Sequence, residues 1–357
     1  MKIEKIQSQI VDMLLGALRN IPSIRSIDYQ DAETSAENPI IDLETDGDRH
    51  RIIIETRTNG QPRQARDAVA LLLMKAVQLQ ENTYPVFAAP FISADSAEIC
   101  QQVGAGHMDL AGNCRLAFNG IYVERTGYPN RFVTKRSLRS LYRTRSSRIL
   151  RALLFDPKLK WKLTELSKAA GVSIGQVFNV KKALIDREWA AFDKNGFYLI
   201  QPEKVLRDWG EQYVYDRNTA FHFRTSLPPS EIEIKLEEYL SDKNTRHAFT
   251  SYSSYKRLVP GAETTHAAAY MDANTDIAPR QVAERLRLEP AQTGSNVILL
   301  LPYDEGVYFG MREIEGIPVV SPIQTFLDLT GIGNPDNEAE NLMRHIRETE
   351  WFPVTES

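Results

Sequence analysis

The chain has 357 residues, enough for two or three domains that each bury a hydrophobic core. Hydrophobic residues make up 42% of it and charged residues 25%, and no apolar run approaches the roughly 18 residues of a transmembrane helix, so we expect a globular protein with no membrane partner. The formal net charge of −4 conceals an asymmetry: residues 125–187 hold sixteen Lys or Arg and three acidic residues, a local charge of +13, which leaves −17 for the rest.

Cysteine and histidine usage narrows the class of protein further. Cys100 and Cys114 are too few for a disulfide framework and suit two thiols in a reducing cytoplasm. The first residues meet charge at once and show no secretory signal. The six histidines are scattered without metal-ligand spacing, so a structural zinc site is not expected.

The first third of the chain is expected to form an α/β domain over residues 1–130. Apolar periodicity predicts helices at 3–18, 64–80 and 93–103. Alternating and fully apolar runs predict strands at 24–29, 40–43, 51–55, 85–89, 107–110, 115–118 and 121–124.

Two neighbouring strands carry a spaced pair of acids: Asp42 in the strand at 40–43, and Glu55 followed by Thr56 and Arg57 at the end of the strand at 51–55. This spacing resembles the PD-(D/E)xK restriction-endonuclease-like fold, in which an Asp and a Glu hold a divalent cation and a Lys lies two residues beyond the Glu. The resemblance implies Asp42 and Glu55 as metal ligands, with Mg²⁺ as the cofactor only if the domain is active. Arg57 replaces the Lys and cannot act as a base, which argues against nuclease activity. Two exposed acids at strand ends remain the alternative interpretation.

A second motif follows in Asp109-Leu110-Ala111-Gly112-Asn113. Gly112 and Asn113 suit a turn that needs a positive φ, and the carboxylate of Asp109 can accept the backbone N–H groups of that turn. The same motif is similar to one in bacterial regulators that join an endonuclease-like domain to a winged helix. A plain structural turn is the alternative.

A dense run of basic residues leads into the central module. Eight Lys or Arg residues occur in the 21 positions from 131 to 151 with no acid between them. They are Arg131, Lys135, Arg136, Arg139, Arg143, Arg145, Arg148 and Arg151. A basic helix is often only a solvated face, but this density favours contact with DNA phosphates.

The order of signals from 146 to 200 predicts a winged helix-turn-helix. Ser146 and Ser147 are expected to cap a first helix, and Thr164 to start a second. Gly171 suits a left-handed turn, and Ser173 is expected to cap a recognition helix from 174 to about 188. The Asn195-Gly196 pair predicts a hairpin between 189–192 and 197–200, which is the wing.

This module is predicted to bind duplex DNA, with a winged helix used for protein contacts as the alternative. The side chains expected to reach base edges or phosphates in the major groove lie on the recognition helix. They are Ser173, Gln176, Asn179 and Lys182. The backbone contacts are assigned to Lys194 at the wing tip and to the arginine run, chiefly Arg139, Arg143, Arg145 and Arg148.

The last third is expected to form an α+β domain over residues 213–357. Ser230 with Glu233 predicts a capping box at the start of a helix. Ser321-Pro322 and Asn334-Pro335 each predict an N-cap followed by proline in the first helical position. Helices are predicted at 231–240, 247–258 and 279–286, strands at 266–271 and 296–301, a hairpin at 307–312 and 317–320, and two closing helices.

Several short motifs of this region resemble the C-terminal domain of AbiEi-type antitoxins, the regulators of type IV toxin–antitoxin systems. They are Thr250-Ser251-Tyr252, Met271-Asp272, the segment 316–322 and Thr325-Phe326-Leu327-Asp328-Leu329. The resemblance covers about residues 146–335 and implies a protein that represses its own operon and binds a nucleotidyltransferase-like toxin. The chain lacks the Gly-Ser…Asp-x-Asp signature of an active nucleotidyltransferase.

The sequence therefore predicts an α/β and α+β multidomain protein with a PD-(D/E)xK-like domain at 1–130, a basic segment and winged helix at 131–212, and an α+β nucleotidyltransferase-like domain at 213–357. The expected function is a cytoplasmic, sequence-specific transcriptional regulator without a resident cofactor. Its expected partners are double-stranded DNA and a cognate toxin, and a homodimer would suit a palindromic operator. The alternatives are a Mg²⁺-dependent nuclease targeted by the winged helix and an interaction protein whose acidic domain binds a basic partner.

Overall fold

A computed structural model describes residues 1–30, 38–79, 82–132, 141–263, 266–272, 277–333 and 337–353. The chain divides into two compact units. Unit 1 comprises Met1–Ser137 with Ala183–Glu188, and unit 2 comprises Leu138–Lys182 with Trp189–Ser357. The winged-helix residues up to Lys182 therefore group with the last third of the chain, and residue 212 is not a division between units.

Unit 1 is built on a mixed seven-stranded sheet whose strands follow one another in chain order. Its strands are β1 (Ile24–Gln30), β2 (Ile40–Thr45), β3 (Arg49–Thr56), β4 (Thr83–Ala89), β5 (Gly106–Asp109), β6 (Cys114–Phe118) and β7 (Ile121–Arg125). Its helices are α1 (Ile3–Leu18), α2 (Pro62–Leu79) and α3 (Ala94–Gln102). The β3–β4 and β4–β5 pairs are parallel, and the other neighbouring pairs are antiparallel.

Helices cover both faces of this sheet. Ile6, Ile10 and Leu14 recur along α1 and pack into one core cluster with β2, β3 and β4. A second cluster joins α2 and α3 to the opposite side of β4, where Phe87 is fully buried. Because β3 and β4 are covered on both faces, each contains a run of buried residues, at 52–54 in β3 and at 84–89 in β4, as buried parallel strands require. The mixed α/β class predicted for this region is confirmed.

Unit 2 begins with three helices and a short hairpin in the order predicted for a winged helix. They are α4 (Thr144–Phe155), α5 (Leu163–Ala170), α6 (Ile174–Asp186), β8 (Ala190–Asp193) and β9 (Gly196–Leu199). A bridge from Trp161 to Phe197 extends the hairpin. The predicted cap at Ser146 and Ser147 is wrong, because α4 begins at Thr144 and both serines are buried inside it. The two-residue turn between β8 and β9 is Lys194-Asn195, one residue earlier than the predicted Asn-Gly pair.

The remainder of unit 2 folds on a second seven-stranded mixed sheet, in the order β13-β10-β14-β12-β11-β16-β15. Its strands are β10 (Thr219–Arg224), β11 (His247–Phe249), β12 (Ala267–Met271), β13 (Glu289–Pro290), β14 (Val297–Leu301), β15 (Arg312–Ile314) and β16 (Ile317–Val319). Its helices are α7 (Pro202–Gln212), α8 (Pro229–Asp242), α9 (Ser251–Leu258), α10 (Pro279–Leu286), α11 (Pro322–Gly331) and α12 (Glu338–His345), followed by a π-helix at Ile346–Trp351.

Three predicted elements of this region are wrong or shorter than expected. Residues 247–258 form a strand and then a helix, separated at Thr250, and the first residue of the helix, Ser251, has a φ of 49°. The capping box at Ser230 does not form, because α8 begins at Pro229 and Glu233 is fully buried against Lys256 and Arg257. The first arm of the hairpin, predicted at 307–312, is instead the strand Arg312–Ile314, and Glu305–Tyr308 form a 3-10 helix.

The sequence also predicts N-caps at Ser321 and Asn334 for the last two helices. Ser321 caps α11 as predicted, its hydroxyl accepting the N–H of Gln324. The second predicted cap, at Asn334, lies outside the described residues, and the last α-helix is described from Glu338.

Two further predictions were free cysteine thiols and the absence of a membrane-spanning helix. Cys100 and Cys114 are both buried free thiols, and burial raises the pKa of Cys100 to about 12 and that of Cys114 to about 11. Among the helices the structure describes, none has the length and apolar character needed to cross a membrane.

Candidate nucleic-acid interface

The predicted recognition helix α6 is held by the turn that precedes it. Gly171 adopts the left-handed conformation at φ 62° that ends α5, as the sequence predicts. The hydroxyl of Ser173 accepts the N–H of Gln176 at 3.3 Å, so Ser173 caps the start of α6. Val177 and Val180 point into the core and are buried. These contacts fix which face of α6 is turned to solvent.

The exposed face of α6 carries two of the predicted DNA-contacting side chains. Asn179 and Lys182 are both exposed. Asn179 has an amide that can pair with two atoms of an adenine edge, and Lys182 has a cationic head suited to phosphate or guanine. The structure therefore places both groups where they are open to solvent.

Gln176 lies differently from its prediction. It is half-buried, and its side-chain amide donates to the hydroxyl of Ser146 in α4 at 2.6 Å. This contact fixes the start of α6 against the start of α4, so Gln176 acts in the structure as a link between two helices.

A cleft of about 870 Å³ opens beside this link. Arg143, Arg145 and Arg217 line it, together with the acidic side chain of Glu211. The three arginines are exposed. The cleft also receives the N-terminus of α4, where Arg143 is the N-cap residue and supplies no side-chain cap. Uncapped N–H groups at a helix start and neighbouring guanidinium groups both favour an anion such as a phosphate.

Two arginines of the predicted phosphate-contacting run are used inside unit 2. Arg148 pairs with the carboxylate of Asp304 at 2.9 Å, and that carboxylate is nearly fully buried. Arg151 is buried, with its guanidinium 5.0 Å from the ring centre of Trp209. Both side chains tie α4 to the rest of the unit. The structure therefore gives them a packing role that the charge count could not reveal.

Of the remaining predicted phosphate contacts, one is described by the structure and one is not. Lys194 is exposed at the wing tip, in the turn between β8 and β9. Arg139 lies outside the described residues, as do Lys135 and Arg136.

Two apolar side chains on the exposed face of α6 were missed. Ile174 is 51% exposed and Phe178 is 56% exposed. They lie one helical turn apart, next to Asn179, and Lys182 follows one turn later. The signal for them was in the sequence, because both fall off the buried stripe formed by Val177 and Val180.

In unit 1, the predicted acid pair is not brought together. Asp42 faces Arg51 in the β2–β3 register, and the two side chains form an ion pair at 2.7 Å. Glu55 lies four residues beyond Arg51 in β3. At the rise of a strand, this separates Glu55 from the Asp42–Arg51 pair by about 13 Å. One Mg²⁺ ion needs its oxygen ligands at about 2.1 Å, so Asp42 and Glu55 do not form a shared site in this arrangement.

Glu55 instead lies in a cluster with the cationic side chains of Arg57 and Lys75 and the amide of Asn38. Its carboxylate pairs with Arg57 at 2.9 Å and accepts the amide of Asn38 at 2.6 Å. The carbonyl of the same amide accepts a hydrogen bond from Lys75. The side chain that bonds Glu55 from the segment before β2 is therefore Asn38, which is neutral. Within the parts of the chain that the structure describes, no three His, Cys, Asp or Glu side chains gather to hold a metal ion.

The Asp109 turn forms as predicted. The carboxylate of Asp109, fully buried, accepts the backbone N–H groups of Gly112 and Asn113, both at 2.9 Å, and that of Ile92 at 3.2 Å. Gly112 has a φ of 114°. The side chain of Asn113 donates to Asp109 and also exchanges two hydrogen bonds with the backbone of Tyr128. The motif therefore anchors the chain just before the basic run.

We expect Asp109→Ala to lower the free energy of unfolding of unit 1 by about 3 kcal/mol, because it leaves several buried N–H donors without an acceptor. Urea unfolding followed by circular dichroism measures this change. Asp12→Ala, at an exposed position of α1, is the control and should change the value by less than about 0.5 kcal/mol. Equal effects of the two variants would show that the turn contributes nothing special.

Unit 2 contains a buried polar cluster centred on Asp328, whose side chain is fully buried. The carboxylate accepts hydrogen bonds from Thr250 at 2.5 Å, Gln324 at 2.8 Å, and Tyr213 and Tyr270 at 2.9 Å each. Desolvation nevertheless raises the pKa of Asp328, although these hydrogen bonds act to lower it. Two of the motifs that resemble the antitoxin family thus meet inside the core.

Comparisons with models of protein families, with curated proteins and with solved structures find no match to this chain. The proposals for this protein accordingly depend on its own residues and contacts.

Proposed function

We propose that this protein is a sequence-specific regulator of transcription that binds double-stranded DNA through its winged helix. In this proposal α6 enters the major groove and Asn179 and Lys182 face the bases. The observation that supports it best is the exposed polar and cationic face of α6 beside the arginine-lined cleft. A local charge of +13 in an acidic chain would attract the DNA backbone to this module in particular.

The proposal divides the contacts into two kinds. Arg143, Arg145 and Lys194 contact phosphates, which sets affinity without regard to sequence. Asn179 contacts a base edge, which sets preference among sequences. Gln176 is assigned to the support of α6 because its amide is already bonded to Ser146.

We expect Asn179→Ala to reduce the preference for selected duplexes over random ones by about five- to a hundred-fold, because a bidentate amide–adenine contact discriminates by about 1–3 kcal/mol. Selection from a randomised duplex library, with sequencing of the bound fraction, supplies the duplexes. Fluorescence anisotropy with selected and shuffled duplexes then measures the preference.

Gln292→Ala is the matched control, since Gln292 is an exposed amide of unit 2 outside the winged helix. It should leave the preference unchanged. Failure to enrich any duplex would contradict the proposed function. Enrichment with a preference that Asn179→Ala does not alter would contradict the role of α6.

The geometry of unit 1 favours this regulator over a Mg²⁺-dependent nuclease. The order α1, β1, β2, β3, α2, β4, with three antiparallel strands followed by a parallel one, supports a restriction-endonuclease-like fold for the unit. Asp42 and Glu55 are each paired with an arginine, however, and the cluster at Glu55 already contains the cationic groups of Arg57 and Lys75. We therefore propose that this unit has no nuclease activity.

The antitoxin-like role is a further part of the proposal. The meeting of Thr250 with Asp328 inside the core gives those motifs a packing role, so they support a common fold rather than a toxin-binding surface. We propose that a nucleotidyltransferase-like toxin is the protein partner and that repression of the protein's own operon is the regulatory outcome. A homodimer on a palindromic operator is the assembly that suits this role.

A further inference from the structure

The exposed face of α6 holds an apolar pair that DNA binding by polar groups alone does not explain. Ile174 and Phe178 are each about half exposed, while Val177 and Val180 of the same helix are buried. Asn179 follows Phe178 in the sequence, and Lys182 lies one turn beyond Phe178. The two apolar side chains thus lie within the face assigned to the bases.

From this arrangement we infer that Ile174 and Phe178 read the 5-methyl groups of thymines in the major groove. The inference rests on the proposed DNA-binding function and adds the chemical feature that α6 recognises. The thymine methyl is the one apolar group that a base pair presents in the major groove, and Phe is a known type of partner for it. An apolar pair surrounded by polar and cationic side chains suits a surface that must accept both methyl groups and phosphates.

The neighbouring backbone allows a close approach. Gly175 follows Ile174 in α6, and a side chain added at Gly175 would meet no other atom within 4 Å. The surface of α6 at Gly175 is therefore open to a ligand. Cationic charge in the same module comes from Lys182 on α6 and from Arg143 and Arg145 at the cleft that Gln176 of α6 also lines, which matches the negative charge of duplex DNA.

The test replaces single thymines by deoxyuridine in a duplex that the protein has selected from a randomised library. Deoxyuridine keeps the base pair and removes only the methyl group. We expect about four-fold weaker binding for each thymine in contact with Ile174 or Phe178, the loss expected for one buried methyl group. Anisotropy titration of each substituted duplex measures the change.

Protein variants link the methyl effect to these residues. Phe178→Ala should bind the thymine and deoxyuridine duplexes equally at the affected position, while Phe178→Leu should retain part of the difference. Ile234→Ala is the matched control, because Ile234 is 52% exposed on α8 of the same unit, and it should leave the difference intact.

The outcomes separate this inference from the function on which it depends. If no duplex is selected, the proposed DNA binding fails. If a duplex is selected but deoxyuridine weakens binding at no position, or if the loss persists in Phe178→Ala, the methyl-reading inference is overturned while DNA binding stands. Dissociation of a dimer by Phe178→Ala without any deoxyuridine effect would assign the pair to contact between two copies of the chain, which also overturns it.

Discussion

Replacing Asp328 with alanine is expected to lower the free energy of unfolding of unit 2 by about 4 kcal/mol. Four donors that now bond this carboxylate would lose their acceptor inside the core, and truncation would add a small cavity. Asp328→Asn should cost much less, because its carbonyl can take three of the donors while its amide donates to the hydroxyl of Thr250.

Tryptophan fluorescence during urea unfolding measures this effect within unit 2. All four tryptophans of the chain, at positions 161, 189, 209 and 351, belong to that unit. Midpoints that coincide for the wild type and Asp328→Ala would show that the cluster contributes little to stability. A loss as large in Asp328→Asn as in Asp328→Ala would show that negative charge, and not acceptor geometry, is what the donors require.

The difference in stability between the wild type and Asp328→Asn should depend on pH with a definite sign. Because burial raises the pKa of Asp328 above its ordinary value of 3.8, the folded state retains a proton that the unfolded chain releases. Raising the pH from 3.8 through the folded-state pKa therefore removes stability from the wild type and not from Asp328→Asn. The stability of the wild type relative to Asp328→Asn should fall as pH rises across that window. Burial also raises the pKa values of Tyr213 and Tyr270, so both phenols remain donors there.

The local elements of this protein are well predicted from the sequence, because apolar periodicity and caps act over a few residues. The helices at Ile3–Leu18 and Pro279–Leu286 begin and end where the pattern indicates. The break between β11 and α9 at Thr250 was missed, since neither glycine nor proline marks it. β10 was also missed, although it pairs along most of its length with β14.

Contacts between distant residues are what the sequence did not disclose. Alternation along a strand predicts which face a residue occupies, but not its register with the next strand, so Asp42 could not be distinguished from Asn38 as the neighbour of Glu55. Arg148 was counted among the DNA-binding cations because its partner, Asp304, is 156 positions away. Gln176 is bonded to Ser146, which was itself expected to be a helix cap.

These long-range contacts change which cations remain available for DNA. Arg148 and Arg151 are engaged within unit 2, whereas Arg143 and Arg145 are exposed at the cleft beside α6. If the winged helix binds duplex DNA, the phosphate contacts of α4 should therefore come from the first turn of that helix and the residue before it. The N-terminal end of α4 adds the partial positive charge of its helix dipole at the same place.

We expect Arg143→Gln with Arg145→Gln to weaken binding to a selected duplex by roughly 60-fold at 0.1 M salt, and to reduce the steepness of the log affinity against log salt plot by about 1.8. Each phosphate contact releases condensed counterions worth about 0.9 in that slope, so two lost contacts give the stated change. Because the effect is one of counterion release, the wild type and the variant should converge as salt approaches 1 M. The measurement is an anisotropy titration at several salt concentrations with one duplex.

Arg280→Gln with Arg285→Gln is the matched control, because both side chains are exposed on α10 of the same unit and the change in net charge is equal. If the cleft arginines touch phosphates, the control should leave the slope unaltered, since charge outside the contact surface acts only through the screened field. Similar losses in both double variants would mean that overall charge alone drives binding. An unaltered slope in the Arg143 and Arg145 variant would remove the cleft from the interface and leave Lys194 as the phosphate contact.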